Sequence, residues 1–373
     1  MKKSLTILLA VLMMFGLCIP ASAEGYPGLN GNGTSSSPYL ISGIDDWNTF
    51  VDAVNADPAH GEGLYFKLTG NVGSDGNETG SYVEEFRGSF NGAGYTVWIS
   101  LDTDSLFAEN YGTIENLCVR GSLSSFICCC GGVCGTNDGT VNHCANYASV
   151  SGFDLVGGIC GTNKNTVVNC INYGPIEGDS RVGGICGSND GSAALILNCV
   201  NAGTVTGRVF TAGICGDVQA YESGTPSGIV LCANCGLPTE QNTDGHYALL
   251  TCSIGGVHPE LAWACHFVSP VNGVSCTASN DEDHRIAVDM KQNFADFLKD
   301  LNGHKIGEDK SDGIKKGFAL TEWAIGDDGL PVFADSSELA STLSAGTIWI
   351  ILAVAVVAVG TVSVLIVRKK KKS

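Results

Sequence analysis

The stretch Val156–Gly178, VGGICGTNKNTVVNCINYGPIEG, decides the fold because the chain repeats it. Gly-Gly-Val-Cys-Gly ends at Gly135, Gly-Gly-Ile-Cys-Gly ends at Gly161 and Gly187, and Ala-Gly-Ile-Cys-Gly ends at Gly216. The leading cysteines Cys134, Cys160, Cys186 and Cys215 are spaced by 26, 26 and 29 residues. The trailing set Cys144, Cys170, Cys199 and Cys232 is spaced by 26, 29 and 33. Insertions fall between the motifs and mark loops, and a fixed period of this length is the signature of stacked repeats.

One turn earlier the same frame holds Phe107 in place of Cys134 and Leu117 in place of Cys144. A position that accepts phenylalanine, leucine or cysteine is an inward, apolar one, since an unbridged cysteine behaves as a small buried hydrophobe. Both cysteine columns are therefore expected in the core. Asn110, Asn137, Asn163 and Asn189 follow the first motif, and Asn146, Asn172, Asn201 and Asn234 follow the trailing cysteines. Stacked asparagines hydrogen-bond along a solenoid and tolerate a left-handed corner.

Each turn from 105 to 235 reads as three short strands: Gly-Gly-Ile-Cys-Gly, then Thr-Val-x-Asn-Cys, then a segment centred on Leu123, Val150, Ile176 or Val205. About 26 residues per turn is the arithmetic of an all-β parallel β-helix, each turn pairing with its neighbours at about 4.8 Å. Before the repeats, residues 24–104 read as an N-terminal cap and first turns. Trp47, Phe50, Val51 and Val54 share one face of a helix, and Leu64–Thr69 alternates like a strand. Residues 236–334 read as C-terminal turns and a second cap over the open end, with an amphipathic helix at 290–302 and the Trp323–Phe333 segment.

The flanks point to export and anchoring. Residues 1–23 carry the basic, apolar and small-residue order of a signal peptide, ending at Ala21-Ser22-Ala23. A polar linker, 335–346, leads to the uncharged stretch 347–367, which would span about 31 Å as a helix, enough for a single transmembrane pass. The basic tail 368–373 is then cytoplasmic, and the rest of the chain extracellular at the cell membrane. Between the two segments lie 38 acidic and 13 basic residues, a net charge of −25. That balance excludes nucleic acid as a partner.

These residues resemble a family. Gly-Gly-Ile-Cys-Gly-Thr-Asn, Asn-x-Gly-Thr-Ile/Val-x-Asn-Cys/Leu, Phe86-x-Gly-x-Phe-Asn-Gly-x-Gly94 and the terminal Phe-Ala-Asp-Phe-Leu with Asp-Gly-x-Pro look like bacterial cell-surface proteins carrying GLUG-type repeats. The resemblance spans residues 25–333 and implies a right-handed, pectin-lyase-like parallel β-helix, displayed on the surface and adhesin-like. Such repeats also occur beside peptidase domains, so they specify architecture more than activity.

No catalytic set is legible. The zinc-peptidase motif His-Glu-x-x-His is absent. His143 stands where other turns place Asn116, Asn169 and Asn198, and reads as a corner residue. Cys232-x-x-Cys235 has no second Cys-x-x-Cys to complete a zinc site, so neither a metal nor a cofactor is expected. In-register cysteines keep their Cβ atoms about 4.8 Å apart, beyond the usual disulfide separation of about 3.8 Å, which predicts buried thiols along the columns. Disulfides are expected instead among Cys128 to Cys130, Cys235, Cys252, Cys265 and Cys276.

The segment before each Gly-Gly motif varies, and stacking brings Phe153, Asp154, Asp179, Arg181 and Arg208 to one side as a candidate ligand face. The expectation is a non-enzymatic surface protein whose side faces bind a cell-surface glycan or protein. The alternatives are a polysaccharide lyase or hydrolase using Asp154 and Asp179, and a plain spacer.

Overall fold

The computed structural model describes residues 26–218 apart from 27, 127 and 192–193, then 228–235 except 231, short strands between 238 and 288, and 321–325 with 331–334. The expected signal peptide, the helix at 290–302, the linker, the membrane span and the basic tail lie outside the described residues, as do Cys252 and Cys276. Among the described residues no helix is long and apolar enough to cross a membrane.

The chain coils into a parallel β-solenoid whose walls are four sheets. In the turn that starts at Cys134, Cys134–Asn137 belongs to a six-stranded sheet (sheet 1) and Thr140–Asn142 to a nine-stranded one (sheet 2). Ala145–Asn146 and Ser149–Ser151 belong to a twelve-stranded sheet (sheet 3), and Asp154–Gly157 to a five-stranded one (sheet 4). The three strands expected per turn are thus five short ones. The stretch read as the single strand Gly-Gly-Ile-Cys-Gly is broken by a bend at Gly158, which separates sheet 4 from sheet 1. The pairing frame is the one the repeat implies: Phe107, Cys134, Cys160, Cys186 and Cys215 are successive partners in sheet 1.

Inward positions make a continuous core. Both cysteine columns are fully buried, as are Phe107, Ile114, Val141, Val167 and Ile196. Cys134 and Cys160 touch through their sulfurs at 3.3 Å, and Cys134, Cys144, Cys160, Cys170, Cys186 and Cys199 are thiols. Cys128, Cys129 and Cys235, three of the positions expected to form disulfides, are thiols too.

Two buried amide ladders run along the coil. Asn110 donates to Asn137, Asn137 to Asn163 and Asn163 to Asn189, each at 2.8 Å. Asn146, Asn172, Asn201 and Asn234 form the second ladder at 2.8 to 2.9 Å. A buried amide is costly unless it is satisfied. Here the carboxamides of Asn110, Asn137, Asn163, Asn189, Asn146, Asn172 and Asn201 also donate to nearby carbonyls, as Asn137 does to Thr166 O at 3.0 Å.

Helix α1, Ile44–Ala56, lies over the first turns and buries Trp47, Phe50, Val51 and Val54. Asp45 and Asp46 sit in its first turn, where the helix dipole favours negative charge. At the other end the ladder continues beyond the cysteine period, through strands as late as Arg285–Val288.

Within the segment read as a cap, Trp323–Ile325 pairs with Pro331–Phe333 as an antiparallel hairpin. It lies along the outer side of the solenoid, against the corner residues His143, Asn169 and Asn198. The Thr321 amide donates to Asn169 Oδ1 at 3.0 Å, Asn198 donates to Thr321 O at 3.0 Å, and Trp323 Nε1 donates to Asn198 Oδ1 at 2.9 Å. His143 stacks on Phe333 at 4.0 Å. Trp323 closes a second apolar cluster over Ala145, Ile171, Val200 and Ala233, outward residues that would otherwise face water.

Candidate functional site: a charged and aromatic corner

The corner between sheets 3 and 4 carries the residues singled out from the sequence. Backbone hydrogen bonds stack its residues from turn to turn: Asp179 N donates to Phe153 O at 3.0 Å, and Arg208 N donates to Asp179 O at 3.1 Å. One residue further on, Asp154 pairs in register with Cys128 below and Ser180 above.

The next position has a backbone conformation that its residue types do not announce. Cys129, Leu155, Arg181 and Phe210 all have positive φ, 68°, 57°, 50° and 54°. That region is uncommon for residues other than glycine, asparagine and aspartate. The compensation lies in the glycine that follows each leading cysteine. A Cβ on Gly161 would stand 2.3 Å from the Cys129 carbonyl carbon, and one on Gly187 the same distance from that of Leu155. The bulge of one turn therefore fills the space that a missing side chain leaves in the next. The motif Cys-Gly is needed for this fit, and the Asn-rich corners at Asn116, His143, Asn169 and Asn198, with φ of 52° to 54°, form a separate left-handed column.

The bulge lets Arg181 reach back one turn. Its Nε donates to Asp154 Oδ1 at 2.8 Å and its Nη2 to Asp154 Oδ2, so the pair is bidentate. Arg208 makes the same connection to Asp179, with Nη2 to Oδ2 at 2.8 Å. All five sequence-selected residues thus share one face, and the four charged ones form two arginine–carboxylate pairs. Asp154 and Asp179 are each engaged by an arginine from the following turn. The Arg208 guanidinium holds the Asp179 carboxyl below the usual carboxylate range, and the Asp179 carboxylate raises Arg208 in return. Asp104, by contrast, is pushed up, chiefly by burial, but it stands apart from these pairs, next to Ser105.

Aromatic rings flank the pairs. Phe153 is 61% exposed and Phe126, at the same corner one turn earlier, is 91% exposed. Phe126 was not among the residues expected at the site, although its distance of 26 residues from Gly152 places it there once the register is known. On the outer face of sheet 3, Arg120 packs over Tyr147 at 3.9 Å, and Tyr147 stacks on Tyr173 at 4.6 Å. The two tyrosine rings lie face to face, so the column braces the wall, and the Tyr173 hydroxyl donates to Pro331 O of the hairpin.

The core cysteines add no nucleophile to this face, whereas Cys128, the register partner of Asp154, is an exposed thiol beside it. Burial pushes the thiols of Cys160 and Cys186 up, and that of Cys130 to about 11. A thiol held protonated in a dry core neither attacks nor ligates. Among the described residues no group of three or more His, Cys, Asp or Glu side chains is arranged to hold a metal ion.

No protein-family model matches the sequence, and no curated protein does. Among solved structures, a crystal structure described as a "putative immunoglobulin A1 protease" from Bacteroides ovatus is similar over 82% of this chain and 95% of its own, with a TM-score of 0.62 and 20% identity. At that identity the likeness establishes the β-solenoid architecture and carries no residue roles.

Proposed function

We propose that this protein is a membrane-anchored surface solenoid that recognises a cell-surface glycan or related polymer through its lateral corner, without turning it over. The observation that carries this reading is the pairing of both candidate carboxylates with arginines. A glycosidase needs one carboxyl kept protonated near neutrality, facing a second across the bond to be cleaved. Asp179 is shifted the opposite way, and Asp154 is bound on both oxygens by Arg181. Fixed, bidentate pairs beside exposed rings suit binding instead. The right-handed coil and the GLUG-type kinship belong to the same proposal; the handedness is supported by the strong preference of parallel crossovers for that hand. The activity in the Bacteroides protein's description is not carried over, since at 20% identity the likeness shows the fold alone.

The test is affinity electrophoresis of the full chain in neutral detergent through gels that contain a panel of polysaccharides. Retardation in at least one gel is expected, with no new sugar ends released from the retained polymer. Release that is abolished by Asp154→Ala or Asp179→Ala would move the protein to the enzymes. Unchanged mobility across the panel would remove the glycan reading.

A further inference from the structure

The geometry points to an uncharged, hydroxyl-rich polysaccharide as the ligand of this corner, in place of the polyuronates or sulfated chains that an arginine-bearing groove would ordinarily suggest. This rests on the reading of the corner as a glycan-binding face.

Three features carry it. The first is hydrogen-bonding supply. A guanidinium has five N–H donors, and each arginine commits two of them to its aspartate, which leaves donors directed elsewhere. Each carboxylate has about four lone-pair sites and accepts two of these bonds, which leaves acceptors as well. A surface that still both donates and accepts is matched by hydroxyl groups, which do both. The carboxylate group of a uronate, or a sulfate group, offers acceptors alone and would set its charge against the carboxylate oxygens of Asp154 and Asp179.

The second is net charge. Each pair is internally neutral, so the corner has no surplus of positive charge to draw a polyanion against a chain whose formal charge is −18. Arg208 and Asp179 remain accessible, at 53% and 30% side-chain exposure, so the unused donors and acceptors are within reach of a ligand.

The third is the rings. Phe153 stands directly below Asp179 in the same stacked column, and Phe126 lies one turn further down. An apolar ring face beside hydrogen-bonding groups fits the apolar C–H face of a sugar flanked by its hydroxyls. Because the features recur on adjacent turns, about 4.8 Å apart, the ligand is an extended chain lying along the solenoid axis.

The experiment compares the full chain, in neutral detergent with a chelator present, in gels of a neutral β-glucan, mannan or xylan and in gels of polygalacturonate or alginate. Retardation is expected in a neutral gel and not in the uronate gels. Phe153→Ala, an exposed substitution, should weaken retention about tenfold, the scale of losing 1.4 kcal/mol. Arg208→Gln should weaken it too, with the circular dichroism spectrum unchanged for both variants. Retardation by uronates equal to or stronger than by neutral polymers would overturn the inference and leave the glycan reading in place. Neutral-gel retention that neither variant changes would overturn the assignment to this corner. No retardation in any gel would overturn both the inference and the reading it rests on.

Discussion

Two regions of the same coil fill the same columns with different chemistry. In the first turns Tyr39, Phe66 and Phe90 are register partners in sheet 2, and Val83 and then Phe107 precede the cysteines in the sheet 1 column. Trp47, Phe50, Phe66, Phe86, Phe90 and Phe107 form one packed group, with ring centroids as close as 4.8 Å between Phe50 and Phe66. From Cys134 onward the sheet 1 column is thiols and the sheet 2 column is Val141, Val167, Ile196 and Ile229. The amide column changes as well: Phe86 precedes Asn110 at its start and Val218 follows Asn189 at its end. The backbone coil is indifferent to which residue fills a column as long as the cross-section is filled. What changes is how the turn is held. The first turns rely on large apolar surfaces, sealed by α1, whereas the repeats rely on small side chains and satisfied amides that let every rung have the same shape.

The sharpest way to break that contrast is to truncate equivalent positions. Phe107→Ala should destabilise by about 3–5 kcal/mol, and Cys160→Ala, two rungs along the same column, by about 1 kcal/mol, the scale of deleting one buried methylene. Urea denaturation of both variants checks this. Equal losses would mean that the thiol column bears as much of the core energy as the rings.

A second comparison concerns access. In the native protein, alkylation followed by peptide mass spectrometry should modify Cys128, which is exposed, and leave Cys134, Cys160, Cys170, Cys186 and Cys199 unmodified until denaturant is added. Recovery of any column cysteine in a disulfide would contradict the thiol assignment.

The smallest effect belongs to the surface pair. Arg208 holds the folded-state pKa of Asp179 below its unfolded value, so the pair's contribution is present above about pH 3.9 and is lost as pH falls through the lowered value. Asp179→Asn should therefore lower the melting temperature slightly at pH 7, and not at all at pH 2 or in 1 M salt, because an exposed pair is screened. A decrease of the same size at pH 2 would show that the side chain matters for packing and not for charge.

Much of the architecture was legible in the order of residues. The intervals between cysteines determined the coil, the exchange of Phe107 for Cys134 identified the inward columns, and the recurrent asparagines located the ladders, because a solenoid repeats its environment with its period. The charged corner was partly legible for the same reason: residues that precede equivalent motifs must stack. The rest depended on contacts between turns or on distant segments. The left-handed conformation at Cys129, Leu155 and Arg181 has no propensity behind it and exists because a glycine one turn later yields the space. Which arginine meets which aspartate follows from that bulge, since it turns Arg181 back toward Asp154. The hairpin at Trp323 lies on the flank of turns 125 to 180 residues earlier, as its bonds to Asn198 and its stack on His143 show. A contact of that range is invisible to period and pattern. It is set by which outward surface the folded coil leaves apolar, and that surface exists once the turns have stacked.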